Sequence, residues 1–94
     1  LYVQEDVAPK LLNMLRGAMD ELALGDPWHL STDIGPVIDA AAAAAITAHV
    51  AAARAEGRVI HELPAPQGGQ FVAPVVIRVG GIADLGHEVF GPVL

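Results

Sequence analysis

A carboxylate and an aromatic ring stand two positions apart at Glu88 and Phe90, followed by the turn-forming pair Gly91-Pro92. In an extended segment this spacing puts both side chains on one side of the chain, so both can face one ligand. An ionised carboxylate is an acceptor-only group and can take two donors at once. The other residues that could do chemistry make no recognisable set. Histidines lie at 29, 49, 61 and 87, and none pairs with another at metal-ligand spacing. His87-Glu88 opens like the zinc-protease helix motif, but the second histidine that motif needs is replaced by Gly91. Ser31 has no Gly-x-Ser-x-Gly elbow around it, and Gly68-Gly69 and Gly80-Gly81 are isolated pairs rather than a phosphate-binding loop. Asp33, Asp39, Asp84 and Glu88 show no spacing diagnostic of an acid/base pair. Asp33 and Asp39 read as caps or turn formers. His49 falls within an alanine-rich run and reads as a surface residue. Tyr2, Trp28, Phe71 and Phe90 read as core or interface anchors.

The elements that must position these residues alternate in type. Leu1–Gln4 reads as the end of a strand. Asp6 can cap a helix over 7–24, with Pro9 tolerated in its first turn. Leu11, Leu15, Ala18 and Leu22 give that helix one apolar stripe, widened by Leu12 and Met19. Gly17 in its middle implies close packing, because a mid-helix glycine otherwise costs about 1 kcal/mol. Gly25 then Asp26-Pro27 ends it. After a loop, Asp39 caps a second helix over 40–56, closed by Gly57. Ile46, Val50 and Ala53 mark its inner face, and its small side chains let it lie close against a sheet. Residues 58–63 and 70–79 read as strands, with Pro74 implying an edge or a bulge, and 80–87 as a connector. The order strand-helix-helix-strand-strand indicates an α/β fold.

Composition bounds the function. The chain has 94 residues, 53% of them hydrophobic, so it is at most one domain and is not disordered by composition. A formal net charge of −6 with only five Lys and Arg argues against contact with nucleic acid or an anionic membrane. The apolar run over 40–53 is too short to span a bilayer and contains Thr47 and His49. The absence of cysteine excludes disulfides, thiolate metal sites and a thiol nucleophile within these residues, and is compatible with a cytosolic origin. Apolar residues at both ends, Leu1-Tyr2-Val3 and Pro92-Val93-Leu94, lead us to expect a piece of a larger protein. They also lead us to expect self-association of the isolated piece.

Glu88-Val89-Phe90-Gly91-Pro92-Val93 resembles the Glu-Ile/Val-Phe-Gly-Pro signature of the NAD(P)-dependent aldehyde dehydrogenase superfamily. Gly25-Asp26-Pro27, Asp33-Ile34-Gly35-Pro36-Val37-Ile38-Asp39 and Gly69-Gln70-Phe71-Val72-Ala73-Pro74 stand in the order and spacing of that family's catalytic domain. The wording from Gly25-Asp26-Pro27-Trp28 through Leu30-Ser31-Thr32-Asp33 to Asp39 is similar to a narrower group. That group is the glutamate-semialdehyde (1-pyrroline-5-carboxylate) dehydrogenase module of bifunctional proline utilization A proteins.

The resemblance implies that residues 1–94 are a partial catalytic domain, truncated at both ends, from a cytoplasmic enzyme that oxidises an aldehyde to a carboxylate. In the family a cysteine attacks the aldehyde, hydride passes to NAD, and water activated by a glutamate releases the acid. The cysteine would precede Leu1, so the piece alone is expected to be inactive. By resemblance Glu88 accepts hydrogen bonds from the nicotinamide ribose hydroxyls, and Phe90 packs near the nicotinamide ring. A bifunctional parent would also hold FAD in its proline dehydrogenase module. The glycine-rich stretch Gly80-Gly81-Ile82-Ala83-Asp84-Leu85-Gly86 departs from the family's usual wording. Two alternatives stand beside this reading: a dehydrogenase for another aldehyde, and a non-catalytic module that works through association.

Overall fold

A computed structural model describes residues 1–94. Helix α1 (Ala8–Asp20) and helix α2 (Ala40–Ala55) precede an antiparallel pair, β1 (Val59–Glu62) and β2 (Val75–Ile77), and a single 3-10 turn spans Ile82–Asp84. The α/β class and the order helix-helix-strand-strand follow the sequence reading. Leu1–Gln4 forms no ladder with any other segment, so the expected first strand is absent from this chain.

Helix α2 is built as its sequence dictates. Ala40–Ala45 supplies helix propensity, and the Asp39 Oδ1 accepts a hydrogen bond from the Ala42 N–H at 2.7 Å, satisfying one of the free amides of the first turn. Gly57 follows the C-cap at φ +69, the left-handed conformation in which glycine avoids the Cβ penalty. Ile46, Val50 and Ala53 are buried on one face, which lies across β1 and β2.

Helix α1 differs from expectation at both ends. Val7, not Asp6, occupies the N-cap, and no side chain caps it; the Gln4 carbonyl accepts from Val7 and Ala8 N–H instead. At the other end the helix stops at Asp20, because residues beyond it find partners elsewhere. The Ala23 N–H donates to the Asp33 carboxylate at 2.9 Å, and the Ala23 carbonyl accepts from Asp33 and Ile34. A tertiary partner thus ends the helix before Gly25 can. Met19 is the one buried residue of α1, while Leu11, Leu12, Leu15 and Leu22 are half-buried and Ala18 is exposed. A Cβ on Gly17 would meet nothing within 4 Å, so the close packing expected there does not occur. Polar links tie α1 to β1: Asp20 Oδ1 lies 2.7 Å from His61 Nε2, and Arg16 donates to the Ile60 carbonyl at 3.3 Å.

The second strand is shorter than its apolar run. Pro74 sits just before β2, where its missing N–H removes no ladder bond, and its carbonyl still accepts from Leu63. The far edge of β2 is covered, not free. Val75 and Ile77 donate to the Pro92 and Leu94 carbonyls, and Leu94 N–H returns to Val75. Pro92–Leu94 is therefore a third, parallel neighbour of the sheet. Its role is to fix the residues just upstream.

The core is small. Ile46, Val50, Val72 and Val75 form its centre, with Val37, Val89 and Val93 packed against it. The accessible surface is 6748 Å², against roughly 5,100 Å² expected of a folded monomer of this mass. The radius of gyration is 14.0 Å, against about 12.4 Å for a compact domain of this length. Tyr2, Trp28, Leu30, Ile38 and Phe90 stand exposed, so three of the four aromatics do not serve as core anchors here; Phe71 is half-buried. No helix is long and apolar enough to cross a membrane.

Candidate functional site

An open groove of about 720 Å³ runs along α2. Ala42, Ala45, Ile46 and His49 of α2 form its floor, Pro36–Ile38 one wall, and His87–Gly91 the other. The loop wall is held in place by Val37, whose N–H donates to the Gln70 carbonyl at 2.8 Å and whose side chain packs on the core. Further up the same loop, Asp26 Oδ1 accepts from Trp28 N–H and Thr32 Oγ1 donates to the Asp26 carbonyl at 2.8 Å. Asp39 serves as the helix cap its sequence context implies, whereas the Asp33 carboxylate reaches across the loop to the Ala23 N–H instead of forming a local turn.

The opposite wall carries the sequence-predicted pair. Val89 points inward onto the core, while its neighbours Glu88 and Phe90 are exposed and both line the groove. Alternation along the chain puts them on one side. Two successive tight turns follow, with Gly91 N–H donating to the Val89 carbonyl at 3.0 Å and Val93 N–H to the Gly91 carbonyl at 2.8 Å. The chain then enters its pairing with β2. Gly91 also marks a close approach, because a Cβ there would sit 2.5 Å from Ile46 Cδ1.

No hydrogen bond or ion pair engages the Glu88 carboxylate within the chain, so its lone pairs are free for a ligand. Phe90 is 88% exposed and offers an open ring face beside it. The groove therefore combines an apolar floor, an aromatic ring and an unengaged double acceptor. Such a surface can hold a planar ring and a hydroxyl-bearing sugar. It holds no serine or cysteine nucleophile, and Ser31 lies outside it.

His49, read from the sequence as a surface residue, lines the floor of this open groove. It is half-buried rather than a free surface side chain, and its ring meets that of His87 edge to face, centroids 5.8 Å apart at 83°. One signal in the sequence could have found it. His49 follows Ile46 by three positions and precedes Val50, which places it on the flank of the buried face.

Comparison with known proteins covers the whole chain. The sequence profile of the aldehyde dehydrogenase family matches residues 1–94. Bifunctional protein PutA of Klebsiella aerogenes is 45% identical over 102 residues, spanning 100% of this chain and 8% of its own length. The crystal structure of a Bradyrhizobium japonicum proline utilization A variant superposes with a TM-score of 0.91 at 44% identity, over 97% of this chain and 9% of that one. Betaine aldehyde dehydrogenase from Staphylococcus aureus, solved in complex with NAD+, superposes with a TM-score of 0.85 at 28% identity, over 98% of this chain and 20% of that one. The chain thus spans less than a tenth of the length of the PutA proteins it matches.

Proposed function

The chain belongs to the aldehyde dehydrogenase family, and from that premise we propose that it forms one wall of the cofactor site in a longer NAD-dependent dehydrogenase. The substrate in this reading is L-glutamate γ-semialdehyde (1-pyrroline-5-carboxylate), oxidised to glutamate in proline catabolism. The dehydrogenase is cytoplasmic and is joined to an FAD-dependent proline dehydrogenase. Similarity to PutA along the full chain supports the substrate class, as does the wording from Gly25 to Asp39.

One observation carries the site assignment: Glu88 and Phe90 flank an inward Val89 and together face the groove, with the Glu88 carboxylate unengaged. NAD, when bound, supplies the hydride acceptor. Glu88 would accept from the ribose hydroxyls next to the nicotinamide, and as an acceptor-only group it can take two such donors. Phe90 limits where the ring can lie. Holding reactants in a near-attack arrangement contributes much of the rate of such reactions, so small displacements of this wall matter. The nucleophilic thiol and the general base of the family's reaction belong, in this reading, to residues outside these 94, which contain no cysteine.

The test is Glu88→Gln in the whole dehydrogenase. The substitution preserves shape and converts one acceptor oxygen into a donor. We expect the hydride-transfer rate and cofactor affinity together to fall roughly tenfold or more, the scale of one hydrogen bond to a charged group. An unchanged rate and affinity would remove Glu88 from the site. A second reading, a single-function dehydrogenase for another aldehyde, draws support from the likeness to betaine aldehyde dehydrogenase. Comparing kcat/KM for glutamate semialdehyde and betaine aldehyde separates the two.

A further inference from the structure

The segment that carries Glu88 and Phe90 is held unevenly. Downstream, Pro92–Leu94 is bonded to β2. Upstream, the hydrogen bonds of residues 80–90 are all internal to the segment: Gly80 N–H to the Asp84 carboxylate, Asp84 to Gly81, Leu85 to Ile82, and Gly91 back to Val89. None reaches α2, β1 or the 26–38 loop. Side-chain packing alone therefore fixes the upstream half, through Val89 on the core and through the His87 ring against His49. His49 lies on α2 one turn beyond Ile46, the residue that Gly91 approaches. Helix α2 thus touches the segment at both ends of the Glu88–Phe90 pair.

We propose that His49 is a positioning residue for Glu88 and Phe90, its ring setting the upstream end of the cofactor wall through edge-to-face contact with His87. The proposal rests on the cofactor-wall reading of Glu88. The interaction needs the edge of one ring set against the face of the other, a preference that ring quadrupoles produce in aromatic pairs. Phenylalanine at position 49 should therefore do the same work. Alanine should not, although it preserves helix propensity in a run that is already alanine-rich.

The experiment measures steady-state and hydride-transfer kinetics of the whole dehydrogenase with NAD, for His49→Ala, His49→Phe and Glu88→Gln side by side. His49→Ala is expected to raise KM for NAD by about two- to tenfold, the range spanned by an aromatic pair, and to leave KM for the aldehyde unchanged. His49→Phe is expected to return KM for NAD to within about twofold of the parent. An unaffected KM in His49→Ala overturns the proposal, and so does a His49→Phe variant as impaired as His49→Ala. If His49→Ala fails to fold, His87→Ala removes the exposed partner of the same contact and is read by the same criterion. Should Glu88→Gln impair NAD use while both His49 variants are silent, the positioning role falls and the cofactor reading stands. Should Glu88→Gln also be silent, the cofactor reading itself falls.

Discussion

Gly91→Ala should damage both stability and cofactor use, and Ile46→Val should restore much of the loss. The added methyl carbon would lie 2.5 Å from Ile46 Cδ1, 3.3 Å from Cγ1 and 3.8 Å from Cγ2. Carbon atoms at ordinary contact stand about 3.5–4.0 Å apart, so one of the two must yield by about 1 Å. Ile46 is 4% exposed and packed among Val50, Val72 and Val75, so its terminal methyl can turn away only by disturbing that packing or by entering the groove it floors. Overpacking of this kind costs roughly 1–3 kcal/mol. If the backbone yields instead, Glu88 and Phe90 move with it, and a 1 Å error in a positioning group can cost on the order of a hundredfold in rate.

Ile46→Val deletes the offending Cδ1. Alone it should cost about 0.5–1.5 kcal/mol for the lost methyl group. Combined with Gly91→Ala, the nearest remaining atoms are the two that stood at 3.3 and 3.8 Å, a separation that slight relaxation accommodates. The double variant should therefore be more stable than the sum of the single effects by about 1 kcal/mol or more, within the usual range for contacting residues. The assay is thermal or denaturant unfolding of the whole dehydrogenase with KM for NAD measured in parallel. A silent Gly91→Ala, or a double variant that is no better than additive, would show that segment 87–91 does not lie against α2 as described.

Asp39→Ala removes the side-chain acceptor for Ala42 N–H and should destabilise by about 1 kcal/mol; Asp39→Asn should recover most of it, and unfolding midpoints decide. The 94-residue chain on its own is expected to produce no NADH from aldehyde and to retain no measurable NAD, checked by absorbance and by equilibrium binding. The same chain, with Trp28, Leu30, Ile38 and Phe90 exposed, is expected to self-associate. Sedimentation of a folded monomer would count against that.

What could be read in advance depended on whether local chemistry was sufficient. Helix α2 was legible because its start, body and stop are each encoded nearby: Asp39 at the cap, alanines in the interior, Gly57 in the left-handed position. That Glu88 and Phe90 share one side of the chain was legible from their spacing. The end of α1 was not, because a distant carboxylate, Asp33, takes the amide of Ala23 out of the helix. Nor was the reach of the second strand. Its apolar run extends from 70 to 79, but pairing requires facing backbone, and both neighbours supply it only around Val75–Ile77. The Gly17 inference failed for a related reason. A glycine is compatible with close approach without requiring it, and here nothing approaches.

The alanine content of α2 then acquires a reason beyond propensity. A helix that positions a loosely bonded segment must be stiff without consuming the space the segment needs. Small residues at Ala42 and Ala45 leave room for the groove, and Ile46 and His49, one turn apart, are the larger side chains that meet the Glu88–Phe90 wall. Rigid elements place functional groups more accurately than loops do. The wall here is a loop, and it gains accuracy from a helix at two contacts and from a sheet at one. Weakening the His49–His87 contact should therefore loosen cofactor placement before it unfolds the domain, since the central Ile46, Val50, Val72 and Val75 packing does not include that pair.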